Sequence, residues 1–220
     1  MNQPRTKIDV NQTVWVRVNV PIASFGIPFA REFVESYPFP TPATVYGMIL
    51  SFIGEVDRSI YVGSRLAIVV TQLGVPSIML RKIRRVKSRD LNDANNSKPE
   101  LQTLLTGLEF LIAVSPDGSG LADQMMQTFE WPGNTKRFGG FSCGESHNLV
   151  DEFSLMKHAQ VTDHLAMTHA FCLQPDESGE WSVPVWVDHV GTRNTVWKRA
   201  SFRPLDHLSE LRMFEIQRPS

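Results

Sequence analysis

The chain is poor in cysteine, has no long apolar run and carries no net excess of either charge. Its two cysteines, Cys143 and Cys172, are too few for a disulfide framework or a four-thiolate zinc site. No stretch approaches the ~18 apolar residues that span a bilayer. The polar segment Met1 to Val10 lacks the apolar core of a signal peptide, so a soluble, cytoplasmic protein without membrane contact is expected. No phosphate loop, dinucleotide fingerprint, His-Glu-x-x-His or Cys-x-x-Cys pattern occurs, and the six histidines are scattered. Nucleotide hydrolysis and Rossmann cofactor chemistry are therefore disfavoured, and neither a cofactor nor a metal is expected. Hydrophobic residues make up 42% of the chain, enough for an ordinary core. A single domain over 10–220 is expected from 220 residues.

The small net charge, −1, conceals a strong segregation. Residues 81–89 hold Arg81, Lys82, Arg84, Arg85, Lys87 and Arg89. The rest of the chain keeps 16 basic against 23 acidic side chains, a charge of −7. Six cations in nine residues repel one another, which a neighbouring polyanion would relieve. Nucleic acid is the first candidate, because phosphates attract Lys and Arg whatever the base sequence. A solvated basic strand fits the charge alone equally well. If the run is extended, Arg81, Ile83, Arg85, Lys87 and Arg89 share one face and Lys82 and Arg84 the other.

Alternation of Val14, Val16, Val18 and Val20 predicts a strand. A proline- and aromatic-rich loop follows from Pro21 to Pro40. Thr41-Pro42 reads as an N-cap with proline at the first helical position. Val45, Met48, Ile49, Phe52 and Ile53 supply the apolar stripe, and Gly54 a stop. Strands are predicted at 66–73 and 76–87, an exposed breaker-rich tip at 88–100, a strand at 108–114 and a helix over 120–131. A glycine-rich loop spans Arg137 to Ser146, and strands are predicted at 147–156, 168–173, 181–190 and 195–202. This order is compatible with an α+β, ferredoxin-like (βαββαβ) core carrying a hairpin insertion and a β-rich C-terminal extension.

Several constellations bear chemistry. Gly139, Gly140 and Gly144 permit positive φ and close backbone approach, and successive amides there can form an anion nest beside Lys136 and Arg137. A plain structural turn explains the same glycines. The aromatics of 25–39 and Tyr46 offer stacking surfaces for unpaired bases, with core packing as the alternative. Gly140-Phe141-Ser142-Cys143-Gly144 fits the letters of a nucleophile elbow, but a helix is expected before it and a strand after it, the wrong context for a serine hydrolase. Lys157-His158 has groups for metal-independent RNA cleavage, although a surface pair on a strand is the commoner reason for such residues.

Tyr37-Pro38-Phe39-Pro40-Thr41-Pro42 and the helix running on to Glu55 resemble the first-helix signature of CRISPR-associated (Cas) protein family five. Val20 to Phe25, Leu80 to Lys87, Leu105 to Glu109 and Phe138 to Ser146 resemble further segments of that family in the same order. The likeness covers most of residues 14–202 and is nearest the type I-B group, with its transposon-associated variants. The resemblance implies an RNA-recognition-like RAMP fold with a projecting β-hairpin thumb, here about 81–104. It also implies a subunit of type I Cascade that binds the 5′ handle of the crRNA. Such a subunit caps the backbone filament and sits near target DNA and the large subunit that reads the motif beside the target (the PAM). The implied RNA-binding residues are Ser24, Phe25, Arg31, Tyr46, Arg81, Lys82, Arg84, Arg85, Lys87, Arg89, Arg137, Gly139, Gly140, Ser142 and Gly144. Gly26 departs from the basic residue often found after the loop aromatic, with Arg31 as a substitute. No matched tyrosine, lysine and histidine set is found, so the expectation is a non-catalytic subunit. The runner-up is a metal-independent endoribonuclease for precursor crRNA that uses Tyr46 or His158, and a structural scaffold without RNA is the third reading.

Overall fold

The computed structural model describes residues 12–28, 33–84, 89–90, 92–116, 118–187 and 194–219. Among them the chain forms strands β1 (Val14–Ala23), β2 (Phe33–Val34), β3 (Arg65–Gln72), β4 (Val75–Arg84), β5 (Ser97–Val114), β6 (Glu152–Met156), β7 (Phe171–Pro175), β8 (Trp181–Trp186), β9 (Val196–Pro204) and β10 (Phe214–Glu215). Helices are α1 (Pro42–Ile53), α2 (Leu121–Glu130) and α3 (His158–Ala166). The strands make one sheet in the order β6-β1-β5-β3-β7-β9-β8. β2 and β4 also pair with β5, and β10 with β3. Every pairing is antiparallel except β2 with β5.

Side chains alternate across a strand, and in the central strands both faces of the sheet are covered. Val16, Val18, Val20, Ile68, Val70, Phe110 and Ile112 pack with Val45 and Ile49 of α1 and Met125 of α2. Trp15, Ala67, Val69, Leu111 and Ala113 face the other way, against Val161 of α3 and Leu211. Two-sided burial explains why Leu66–Val70 and Phe110–Val114 read as continuous apolar runs. Helix α1 begins and ends where its sequence predicts: Thr41 Oγ1 accepts from Thr44 N at 3.4 Å, and Gly54 closes the helix at φ 75°.

Two expectations need correction. β5 starts at Ser97 rather than 108 and continues through Pro99 and Gly107. It pairs with β3 from Glu109 to Val114 and with β4 from Ser97 to Thr106. Gly107, at φ 73°, sits where the strand passes from one partner to the other. The predicted exposed tip is therefore shorter: Asn96 and Glu100 are buried. Second, Lys157-His158 do not lie on a strand; Lys157 is the N-cap of α3 and His158 its first residue.

Helix α3 buries only Val161 fully, and polar contacts add to its hold on the sheet. His164 Nε2 lies 2.9 Å from Glu109 Oε1. Glu109 also accepts from Arg17 Nε at 2.8 Å and from Thr71 Oγ1 at 2.7 Å. Burial alone would raise the Glu109 carboxyl. The hydrogen bonds from Thr71 and Arg17 and the neighbouring positive charges outweigh burial and hold it below its ordinary value.

Candidate nucleic-acid interface

The ribbon of β4 and β5 carries the described part of the basic run. Directly opposed residues share a face, so Arg81 with Glu100 and Met79 with Gln102 lie on one side. The other side shows Ile78, Leu80, Leu101 and Lys82 to solvent. Arg81 is not a free cation. Its Nε and Nη2 donate to Glu100 Oε2 at 2.9 and 2.7 Å, and its Nη1 donates to Glu145 Oε2 at 3.0 Å. Burial alone would lower the guanidinium's pKa, yet the two carboxylates outweigh it and hold the group above its ordinary value.

Glu145 belongs to the glycine loop, whose two halves differ. In the first half Arg137, Phe138, Gly139 and Gly140 are exposed, and Arg137 lies over the Phe141 ring at 5.2 Å. Arg137 and Phe138, with Lys136, border a cleft of about 300 Å³ against the C-terminal end of α1. The second half is pinned. Val150 N donates to Phe141 O, Cys143 N to Asn148 O and Asn148 N to Glu145 O, at 2.9 to 3.0 Å. Cys143 is fully buried, which pushes its thiol up and leaves it a core residue. Gly144 has φ 96°, and a Cβ there would stand 2.8 Å from Ser24 O, so this position needs glycine twice over. Buried Asn148, with its amide oriented to meet donors, accepts from Ser24 N at 2.9 Å and from Glu145 N at 3.3 Å.

Ser24 is the meeting point. Its hydroxyl donates to Thr103 O at 2.9 Å and accepts from Gln102 Nε2 at 2.9 Å. Gln102 Nε2 also donates to Glu145 Oε1 at 2.7 Å. The end of β1, the ribbon and the Gly144 turn thus converge. Beside them opens a cavity of about 350 Å³ lined by Ser24, Phe25, Gly144 and Glu145 and by Thr41 and Thr44 at the N-terminal end of α1.

Of the residues singled out by sequence, Ser24, Phe25, Arg81 and Gly144 come together here. Ser142 bridges to Leu149 and is followed by a turn, not by the helix of a nucleophile elbow. Arg137 lines the other cleft, and Gly139 and Gly140 are exposed in the loop that follows it. Lys82 and Arg89 are exposed, and Arg84 ends β4 opposite Ser97. Arg31, Arg85 and Lys87 lie outside the described residues. Three readings change. Tyr46 is fully buried, its hydroxyl donating to Arg58 O at 2.7 Å and its phenol pushed up to about 12 by burial, so it offers neither a stacking face nor a base. Phe25 and Ser24, at 4% and 1% exposure, build the site wall and present little surface of their own. Arg81 is held by carboxylates. Sequence reasoning missed Glu100, Gln102, Glu145 and Asn148, because their roles rest on the β4–β5 register and on the fold of the loop.

The family model for "CRISPR-associated protein (Cas_Cas5)" matches residues 13–115. A CRISPR-associated protein Cas5 from Myxococcus xanthus (strain DK1622) is 35% identical over 187 residues, covering 82% of this chain and 85% of the relative. Two solved structures share the fold. A chain of a CRISPR RNA-guided surveillance complex has a TM-score of 0.57 at 14% identity, over 94% of this chain and 91% of that one. A Cas protein crystal structure has a TM-score of 0.55 at 16% identity, over 88% and 94%. On its identity and coverage against the Myxococcus relative, the chain belongs to the Cas5 family of CRISPR-associated proteins.

Proposed function

We propose that this chain is a non-catalytic subunit of a CRISPR RNA-guided surveillance complex that grips the 5′ handle of the guide RNA. The observation carrying this is the convergence of the β1 end, the β4–β5 ribbon and the Gly144 turn beside one cavity at the N-terminal end of α1. Helix N-termini and turn amides favour phosphate, and exposed cations at Lys82 and Arg89 flank the region along the chain. We read β1-α1-β3-β5-α2-β6, with strands ordered β6-β1-β5-β3, as a ferredoxin-like core, and the β4–β5 ribbon as its thumb. The apolar outer face of that ribbon suits contact with the backbone filament subunit. The large subunit and target DNA would lie nearby.

A precursor-cleaving role is less well supported. Tyr46 packs on the α1 side of the sheet, whereas His158 opens α3 on the opposite side, so the two are not available to one scissile phosphate. The test is co-expression with the neighbouring genes and a CRISPR array, purification through a tag on this chain, and sequencing of bound RNA. A discrete guide RNA with a fixed 5′ end, arriving with partner subunits, is expected. Trimming of precursor RNA by the isolated chain in EDTA would favour the nuclease reading, and a bare monomer would contradict both.

A further inference from the structure

A carboxylate beside a phosphate-binding cleft repels its ligand, so Glu145 needs a reason to be where it is. Both its oxygens are engaged. Oε1 accepts from Gln102 Nε2 at 2.7 Å, and Oε2 accepts from Arg81 Nη1 at 3.0 Å with His147 Nε2 at 3.3 Å. Arg81 is held in place by Glu100, which is 7% exposed, and Gln102 by Ser24. One side chain of the loop is therefore tied to two residues on adjacent strands of the ribbon. One arginine shared by two carboxylates leaves no surplus positive charge for a phosphate. The Gly144 turn, one residue away, lies close enough to Ser24 O that a Cβ would stand 2.8 Å from it, and it borders the cavity.

We infer that Glu145 is a positioning residue. With Arg81 and Gln102 it clamps the Gly144 turn onto the ribbon, and Arg81 serves RNA binding by holding this clamp rather than by meeting a phosphate. The inference rests on the proposed RNA-binding role, but the clamp itself has a readout that needs no RNA.

The test compares wild type, Glu145→Gln, Arg81→Ala, the double variant and Lys82→Ala, each as the full chain, with guide RNA from the co-expressed array. Simple electrostatics predicts that losing a carboxylate tightens RNA binding. The clamp predicts the opposite sign: Glu145→Gln weakens binding about fivefold to tenfold, Arg81→Ala does the same, and the double variant is no worse than either. The slope of log affinity against log salt stays unchanged in Arg81→Ala and falls by about 1 in Lys82→Ala. Without RNA, amides of 143–148 exchange at least tenfold faster in Glu145→Gln while the melting temperature moves by less than a few degrees. If Glu145→Gln destabilises the whole chain, Glu145→Asp, which keeps the charge, restores the fold and part of the affinity. Binding by Glu145→Gln as tight as wild type or tighter, a salt slope reduced by one in Arg81→Ala, or unchanged loop exchange each overturns the clamp. Wild-type chain that retains no guide RNA overturns the functional reading instead, and the exchange comparison still decides the clamp.

Discussion

Strand β5 carries two buried glutamates, each gripping an arginine, and the two grips differ in what they hold. Glu100 and Glu109 are 7% and 8% exposed. Glu109 takes Arg17 from β1, Thr71 from β3 and His164 from α3. β1 and β3 are already joined to β5 by backbone ladders, so apart from helping to hold α3 through His164 this cluster reinforces contacts that the sheet makes without it. Glu100 takes Arg81 from β4, and Arg81 reaches on to Glu145 in a loop. There the ion pairs join two parts of the chain that no strand ladder connects. The same chemistry ties strands and a helix of the body together in one place and fastens a loop to the ribbon in the other. Loss of the first should be read in stability, and loss of the second in RNA affinity.

The largest expected effect is on the loop side. Gly144→Val meets both a left-handed φ and a backbone oxygen 2.8 Å from the new Cβ. Guide-RNA retention should fall more than tenfold and the melting temperature by several degrees. Gly139→Ala has a similar φ but open space around it, so it should cost about 1 kcal/mol and leave RNA retention within twofold.

On the body side, Glu109→Ala leaves Arg17 and His164 without their shared partner. It should cost about 3 kcal/mol, or roughly 6–12 °C in thermal melts, with RNA retention unchanged at temperatures where the variant is folded. Equal loss of RNA binding in the folded variant would erase the distinction between the clusters.

Acid should act on the same cluster with a smaller amplitude. The folded pKa of Glu109 lies below its ordinary 4.5, so its contribution is present above that value and is lost as pH falls through the lowered folded pKa. Stability should decline as pH drops below about 4.5, and Glu109→Gln should flatten part of that decline in urea melts taken at successive pH values. Smallest is Tyr46→Phe, which removes one buried hydrogen bond to Arg58 O and should cost about 1 kcal/mol without altering RNA length or retention. Loss of an EDTA-resistant cleavage in this variant would instead revive the nuclease reading.

How much of this was legible in the sequence varied with how local the determinants are. Helix α1 was readable in full, because a Thr41 cap, Pro42, an apolar stripe and Gly54 all lie within fourteen residues. The half of β5 buried on both faces showed as an apolar run. Its ribbon half did not, since Asn96 and Pro99 carry breaker signals and pairing with β4 overrides that of Pro99. Helix α3 escaped because its stripe reduces to Val161 and Leu165 among polar residues, and because a sheet face is what orders it. The glycine loop was visible as a candidate, but its division into an exposed and a pinned half was not. Arg81 looked like the first cation of a basic run because its partners stand 19 and 64 residues away, and only the register brings them into contact.

The most direct measurement is hydrogen–deuterium exchange of the full chain with and without guide RNA. The account predicts that RNA slows exchange at 142–146 and 79–84 and leaves α3, at 158–166, unchanged. Protection gathered on α3 with none on the Gly144 turn would contradict it.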